Sequence, residues 1–331
     1  MTRTKTTEKE YYDRGLSLLR RAYLEANQEG HDFSDNSIRV KIKNESIIVM
    51  DIYQASMWAS KKWSKKFRPN TWSKYRCSLK FIAELFLSKQ KINQDIYDKV
   101  CYILDSTTAG DKKELEPKTS SHKKKSFSKK EVQSVEDFFL EGDFRWSKPT
   151  LYWIKAGVFL GLRPIEWKQA EYNEEYNVIV VENAKNTNGR ANGTTRTLSL
   201  SHYNQEEKNI ILTHLNFSKK MLKEGHWQSY YQGCSNLLKY SVRKIWRGKE
   251  RLPTLYSGRH QYSANLKASG CTRNEVAALM GHGTDQTASA HYGKKIHGTR
   301  KSKPEVNELD LQKVKEVKPY RFSFKNKKGK D

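Results

Sequence analysis

Apolar positions recur at helical spacing through most of the chain and alternate in one short region. Between Glu8 and about Asn27 the residues Tyr12, Leu16, Leu19 and Tyr23 fall on one face with charges between them, which predicts an amphipathic helix. The run IIVMDIYQASMWASKKW predicts one further helix, and Pro69-Asn70-Thr71 breaks and recaps the chain after it. Trp72, Tyr75, Leu79, Ile82 and Phe86 then mark the face of a packed helix, and a shorter one from Gln94 to Leu104 closes a small all-helical bundle.

The pattern lapses in the linker that follows. Lys, Ser and Thr dominate it and periodicity disappears, as expected of a flexible basic tether. Helical spacing resumes where Ser128 can cap a segment carrying Val132, Val135 and Phe139, followed by one with Leu151, Ile154, Val158 and Phe159. Residues 176–181 and 196–200 are the only convincing strands, joined by a turn-rich loop, with Lys185 where strand meets loop. Helices are predicted again from Gln205 to Lys223, from Ser235 to Trp246, and twice between Thr254 and Tyr292, with a last one from Val306 to Val317. No internal repeat appears. The expected organisation is an N-terminal helical extension (1–43), a helical domain (44–106), a basic linker (107–127), a second domain (128–292) and a C-terminal tail (293–331).

Charge narrows the function. Among 331 residues, Lys and Arg number 62 against 37 Asp and Glu, a formal net charge of +25. An excess of that size calls for a polyanionic partner, since each phosphate met releases condensed counterions. No apolar run approaches the roughly 20 residues that span a bilayer, and the first fifteen residues lack a secretory signal's apolar core, so the expected compartment is the cytoplasm and no membrane partner is expected. Four cysteines without paired or metal-ligand spacing predict neither zinc nor a disulfide framework. In the first bundle, Lys61, Lys62, Lys65, Lys66 and Arg68 interleave with Trp63 and Phe67; the cations suit phosphates, while the rings could cover sugars or fill core.

The stretch TLYSGRHQYSANLKASGCTRNEVAALMGHGTDQTASAHYG carries cations and a phenol suited to phosphoryl chemistry without a metal. Taken with Arg163 in GLRPIE and Lys185, its Arg259-His260 pair, the LMGH segment ending at His282, and Tyr292 ten residues later, the chain resembles the tyrosine recombinase (phage-type integrase) family in order and spacing.

That resemblance implies a mainly α fold with a small antiparallel β hairpin or sheet, arranged as a two-domain C-shaped clamp on double-stranded DNA. It implies a site-specific recombinase that cleaves and rejoins strands through a 3′-phosphotyrosyl intermediate, with neither metal nor other cofactor. Arg163 and Arg259 would clamp the scissile phosphate, Glu166 would orient a cation, Lys185 would protonate the leaving 5′-oxygen, His282 would hydrogen-bond the phosphate, and Tyr292 would be the nucleophile. Lys185 is preferred to Arg190 and Arg196 because it directly follows the β-run. The family acts as a tetramer on two DNA sites, monomeric or dimeric when free, with room for a DNA-bending accessory protein; its C-terminal segment commonly docks on a neighbouring subunit. Leu309, Leu311 and Val314 could form such a stripe or fold on their own domain.

One position departs from the pattern. Tyr256 stands where the family usually has histidine, and a phenol is a poor base near neutral pH. The departure keeps a hairpin telomere resolvase and a DNA-binding protein with a decayed site open as alternatives, and a type IB topoisomerase-like enzyme stands beside them as a rival within the class.

Overall fold

The computed structural model describes residues 3–31, 37–42, 45–108, 123–184, 186, 191–287 and 292–317. The chain divides into two compact units, Met1–Pro117 and Lys118–Asp331.

The first unit is built from α1 (Lys5–Gln28), the hairpin β1 (Ser37–Ile42) and β2 (Glu45–Met50), α2 (Ile52–Trp58), a π turn leading into the short α3 (Ser64–Lys66), α4 (Pro69–Ser88) and α5 (Gln94–Ser106). The single helix expected over IIVMDIYQASMWASKKW is corrected here. Its β-branched start, IIV, pairs antiparallel with SIRVKI, bringing Ile38 opposite Val49. Asp51 then ends the strand and starts α2, its Oδ1 accepting from the Tyr53 and Gln54 amides at 2.9 and 3.1 Å. The hairpin crosses the expected boundary at 43, and α1 buries Leu16, Leu19 and Ala22 in the same core as Trp72, Leu79 and Ile82. Helix α1 therefore packs as part of this core.

The rings of the basic stretch fill this core. Trp63 is buried, its Nε1 donates to Glu25 at 2.6 Å, and its ring meets Tyr75 edge-on at 5.9 Å, as Phe67 does at 5.2 Å. Lys61, Lys65 and Lys66 are exposed, and Lys62 pairs with Glu29. Alternation of cation and ring thus separates a solvated edge from a packed one.

The second unit comprises α6 (Lys129–Glu141), α7 (Ser147–Leu160), β3 (Glu171–Asn173), β4 (Val178–Glu182), β5 (Thr195–Ser199), α8 (Gln205–Lys223), α9 (Trp227–Ile245), α10 (Ser257–Ala268), α11 (Arg273–Met280) and α12 (Glu308–Gln312). Its sheet runs β3-β4-β5, antiparallel throughout, so a third short strand extends the expected hairpin. Ile179, Val181 and Leu198 point into a core with Trp153, Ile154, Trp167 and Tyr230. Helix α9 starts at Trp227, eight residues before the predicted start.

The tail returns to its own unit. The helix expected over 306–317 shrinks to α12, flanked by bridges from Val306 to Leu198 and from Lys315 to Thr284. Asp310 satisfies the edge of the sheet, accepting from the Thr197 amide through Oδ2 at 2.7 Å and from Asn192 Nδ2 through its carbonyl at 2.6 Å. Leu311 and Val314 pack against Ala277 and Ala278, while Leu309 faces solvent, so the three do not form one stripe. Among the described residues no helix is long and apolar enough to cross a membrane.

Candidate active site

Three helix ends converge in the second unit. Helix α7 stops at Gly161, which adopts the left-handed conformation at φ 63° and leads through buried Leu162 to Arg163. Helix α11 stops the same way at Gly281, φ 65°, which delivers His282. Helix α10 begins at Ser257 with Gly258 laid against the α7 backbone, where a Cβ would sit 3.0 Å from the Gly157 carbonyl carbon. Only a glycine lets these backbones approach that closely.

Arg259, one residue later, fills the space between the ends. Its Nη1 donates to the Gly161 carbonyl at 2.5 Å and its Nη2 to the Met280 carbonyl at 2.5 Å. These are terminal carbonyls of α7 and α11, the electronegative ends of both helices. Nη2 also reaches His282 Nε2 at 3.1 Å, and Nε reaches the Tyr292 hydroxyl at 3.3 Å. A guanidinium only donates, so His282 Nε2 accepts and the ring hydrogen lies on Nδ1, a buried atom with no hydrogen-bond partner among the described residues. Burial, reinforced by Arg259, Arg163 and Arg196, pushes the His282 imidazole down to about 2.

Beneath the arginine lies Glu166, its carboxylate without solvent contact. It pairs with Arg163 Nη1 and with Arg196 Nη2 at 2.9 Å, stands 3.6 Å from Arg259 Nη1, and accepts from the Arg163 amide at 2.8 Å. Burial alone would raise its pKa; the Arg196, Arg259 and Arg163 charges outweigh it and hold the carboxyl far below the usual range. Glu166 therefore orients three cations. Arg196, weighed in the sequence only as a rival of Lys185, lies wholly buried on β5, with Nε donating to the Leu279 carbonyl at 3.1 Å and Nη1 to Asn183. Its place on β5 was readable in part: it alternates in phase with Leu198, so a charged side chain there needed a buried partner.

Tyr256 precedes α10, one turn ahead of Arg259. Its hydroxyl oxygen lies 2.9 Å from that of Tyr292, and the rings of His260 and His282 flank Tyr292 at 5.0 and 4.9 Å. Burial opposes ionisation of Tyr292, but Arg259 and the Tyr256 hydroxyl outweigh it and bring the phenol below its ordinary range. Tyr256 goes the other way, pushed up to about 12 chiefly by burial. His260, given no role from sequence, is held neutral to about 4 by burial and nearby cations.

The structure thus brings together Arg163, Glu166, Tyr256, Arg259, His282 and Tyr292. Lys185, Arg190 and His291 lie outside the described residues. Lys61, Lys62, Lys65, Lys66 and Arg68 belong to the other unit. Two cavities, about 820 Å³ beside Asp51 in the first unit and about 760 Å³ bordered by Phe159, Tyr203 and Lys301 in the second, contain none of the six. The six fill their own site with one another's polar atoms. Such a cluster offers guanidinium nitrogens to an anion, with a phenol shifted toward ionisation beside them.

No protein-family model matches the chain, and no curated protein does. Among solved structures it is similar to the Tn1549 transposon integrase in complex with a circular intermediate DNA, at 16% identity and a TM-score of 0.42 over 83% of this chain and 95% of that one. The same integrase in complex with transposon right end DNA gives 19% identity and a TM-score of 0.42, covering 72% and 79%. The XerA recombinase gives 12% identity and a TM-score of 0.34, covering 92% and 96%.

Proposed function

We propose that the chain is a tyrosine recombinase, a site-specific DNA strand transferase whose nucleophile is Tyr292. The observation that carries the reading is Arg259: one buried guanidinium holds the Tyr292 hydroxyl at 3.3 Å and donates to His282 Nε2 at 3.1 Å, so an anion meeting that guanidinium would stand beside the phenol. Arg163 and Arg259 offer permanently charged, forked donors to the non-bridging oxygens, where charge grows as phosphorus becomes five-coordinate. Tyr292 gives up its proton and its oxygen attacks phosphorus. The bond to the 5′-oxygen breaks, leaving a 3′-phosphotyrosyl link and a 5′-hydroxyl that takes its proton from Lys185 as general acid. Attack by a second strand's 5′-hydroxyl reverses these steps and restores the phenol. Because the bond energy stays in the link, no nucleotide hydrolysis is needed.

The net charge of +25 suits double-stranded DNA as partner, with the exposed Lys61, Lys65 and Lys66, together with Lys62 and Arg68, meeting backbone phosphates of the duplex. In this reading the protein works in the cytoplasm as a tetramer on two DNA sites. A suicide duplex nicked beside the cleavage position tests the chemistry. Wild-type protein should become covalently attached, whereas Tyr292→Phe should bind equally well and form at least about a thousandfold less adduct. Efficient adduct formation by that variant would assign the nucleophile elsewhere. The same assay separates the neighbouring readings: hairpin products from a palindromic duplex mark a telomere resolvase, relaxation of plasmid without site preference marks a topoisomerase, and binding with no adduct on a cognate site marks a decayed enzyme.

A further inference from the structure

Tyr256 replaces a residue type that could act as a base, and its contacts point to a different task. The turn before α10 is fixed from three sides: the Ser257 amide donates to the Thr254 carbonyl at 2.8 Å, the Thr254 amide to Ser257 Oγ at 2.9 Å, and Ser257 Oγ to the Lys124 carbonyl at 2.6 Å. Tyr256 is thereby held with its ring 5.4 Å from His260 and its hydroxyl 2.9 Å from the Tyr292 hydroxyl. Arg259 Nε, which can only donate, already points at the Tyr292 oxygen. A neutral Tyr292 can therefore give its hydrogen to Tyr256, and an ionised Tyr292 can accept from both Tyr256 and Arg259. The arginine is hydrogen-bonded to Tyr292 alone of the two phenols, which decides the one that ionises.

We propose that Tyr256 is a positioning residue that donates a hydrogen bond to the Tyr292 phenolate and does not take up its proton. The proton leaves to water before attack, and Tyr256 with Arg259 holds the phenolate oxygen in place until it forms its bond to phosphorus. This inference rests on Tyr292 being the nucleophile. Opposite preferences of the two phenols agree with it, Tyr256 being pushed up to about 12 while Tyr292 is lowered.

The groups around the pair leave the neutral range clear. Glu166, among the guanidiniums of Arg163, Arg196 and Arg259, stays ionised, and His260 and His282 stay neutral down to about 4 and about 2. Lys125, from the segment before α6, and Lys267, on α10 itself, act on His260.

The test is the pH profile of adduct formation on the nicked duplex, under single-turnover conditions with DNA saturating, for the full chain and two variants. Tyr256→Phe removes the donor, and Tyr256→Gln keeps a donor that cannot serve as a base. The acid limb of Tyr256→Phe should move to higher pH by about one unit, a tenfold loss near neutrality, with the high-pH plateau within a few fold of wild type and DNA affinity unchanged. Tyr256→Gln should recover most of that shift, and it carries the test should Tyr256→Phe fail to fold. An unmoved limb in Tyr256→Phe, or a plateau lost at every pH in Tyr256→Gln, overturns the proposal. Absence of wild-type adduct at all pH values overturns the strand-transfer reading itself, a separate result from adduct that forms with an unmoved limb.

Discussion

Glu166 determines whether the arginines can share so small a volume. Its carboxylate touches Arg163 and Arg196 directly and neutralises charge that would otherwise be buried uncompensated. Removing one member of such a set costs about 3–5 kcal/mol, because the remaining charges stay buried without a counterion. Glu166→Gln should therefore lower the unfolding free energy of the second unit by that amount in urea titration, and abolish adduct formation even where the protein still folds. Five members of this cluster, Arg163, Glu166, Arg259, His282 and Tyr292, were legible in the sequence through their resemblance in order and spacing to the tyrosine recombinase pattern, not through periodicity. Two features were not. Alternation with Leu198 gave the inward face of Arg196 but not its partners Glu166 and Asn183, and the Tyr256 contact with Tyr292 depends on tertiary packing that no local pattern encodes.

At the scale of elements, the site stands on the approach of α10 to α7. Gly258 has the Gly157 and Val158 backbones at 3.0 and 3.2 Å from where a Cβ would lie, and backbone, unlike a side-chain tip, cannot swing aside. Gly258→Ala should push α10 outward and cost about 1–3 kcal/mol, seen as a fall in melting temperature. It should also weaken strand cleavage more than DNA binding, since the bond from Arg259 to the Gly161 carbonyl spans that same gap. Helical periodicity identified most of the helices of both units because amphipathic faces repeat locally. It failed at IIVMDIYQ, where a run apolar at nearly every position satisfies helix and strand alike. There the outcome was set by pairing with SIRVKI, a segment no window over the run itself includes, and by Asp51 acting as a cap.

Across the whole molecule, acid sensitivity is built into the second unit. His214 is fully buried beside Trp153 and Trp167, and burial pushes it down to about 3 from an ordinary 6.5. The unfolded chain takes up that proton below pH 6.5 while the folded chain refuses it until about 3, so stability falls as pH drops through this window. By pH 4.5 the loss is about 2–3 kcal/mol for His214 alone, and His260 and His282 add to it with the same sign. Melting temperatures at pH 7 and 4.5 should differ accordingly, and His214→Phe should flatten the dependence.

Three guanidiniums meet one carboxylate around Glu166, so the folded site carries a surplus of buried positive charge. It is held in check by helix carbonyls and by the Tyr292 phenol, neither of which bears a full negative charge at rest. In linkage terms, the site favours any anion that binds the folded unit over the unfolded chain. On the reading proposed above, a phosphodiester seated there would stabilise the fold of the whole unit by mass action, as tightening that precedes any chemistry.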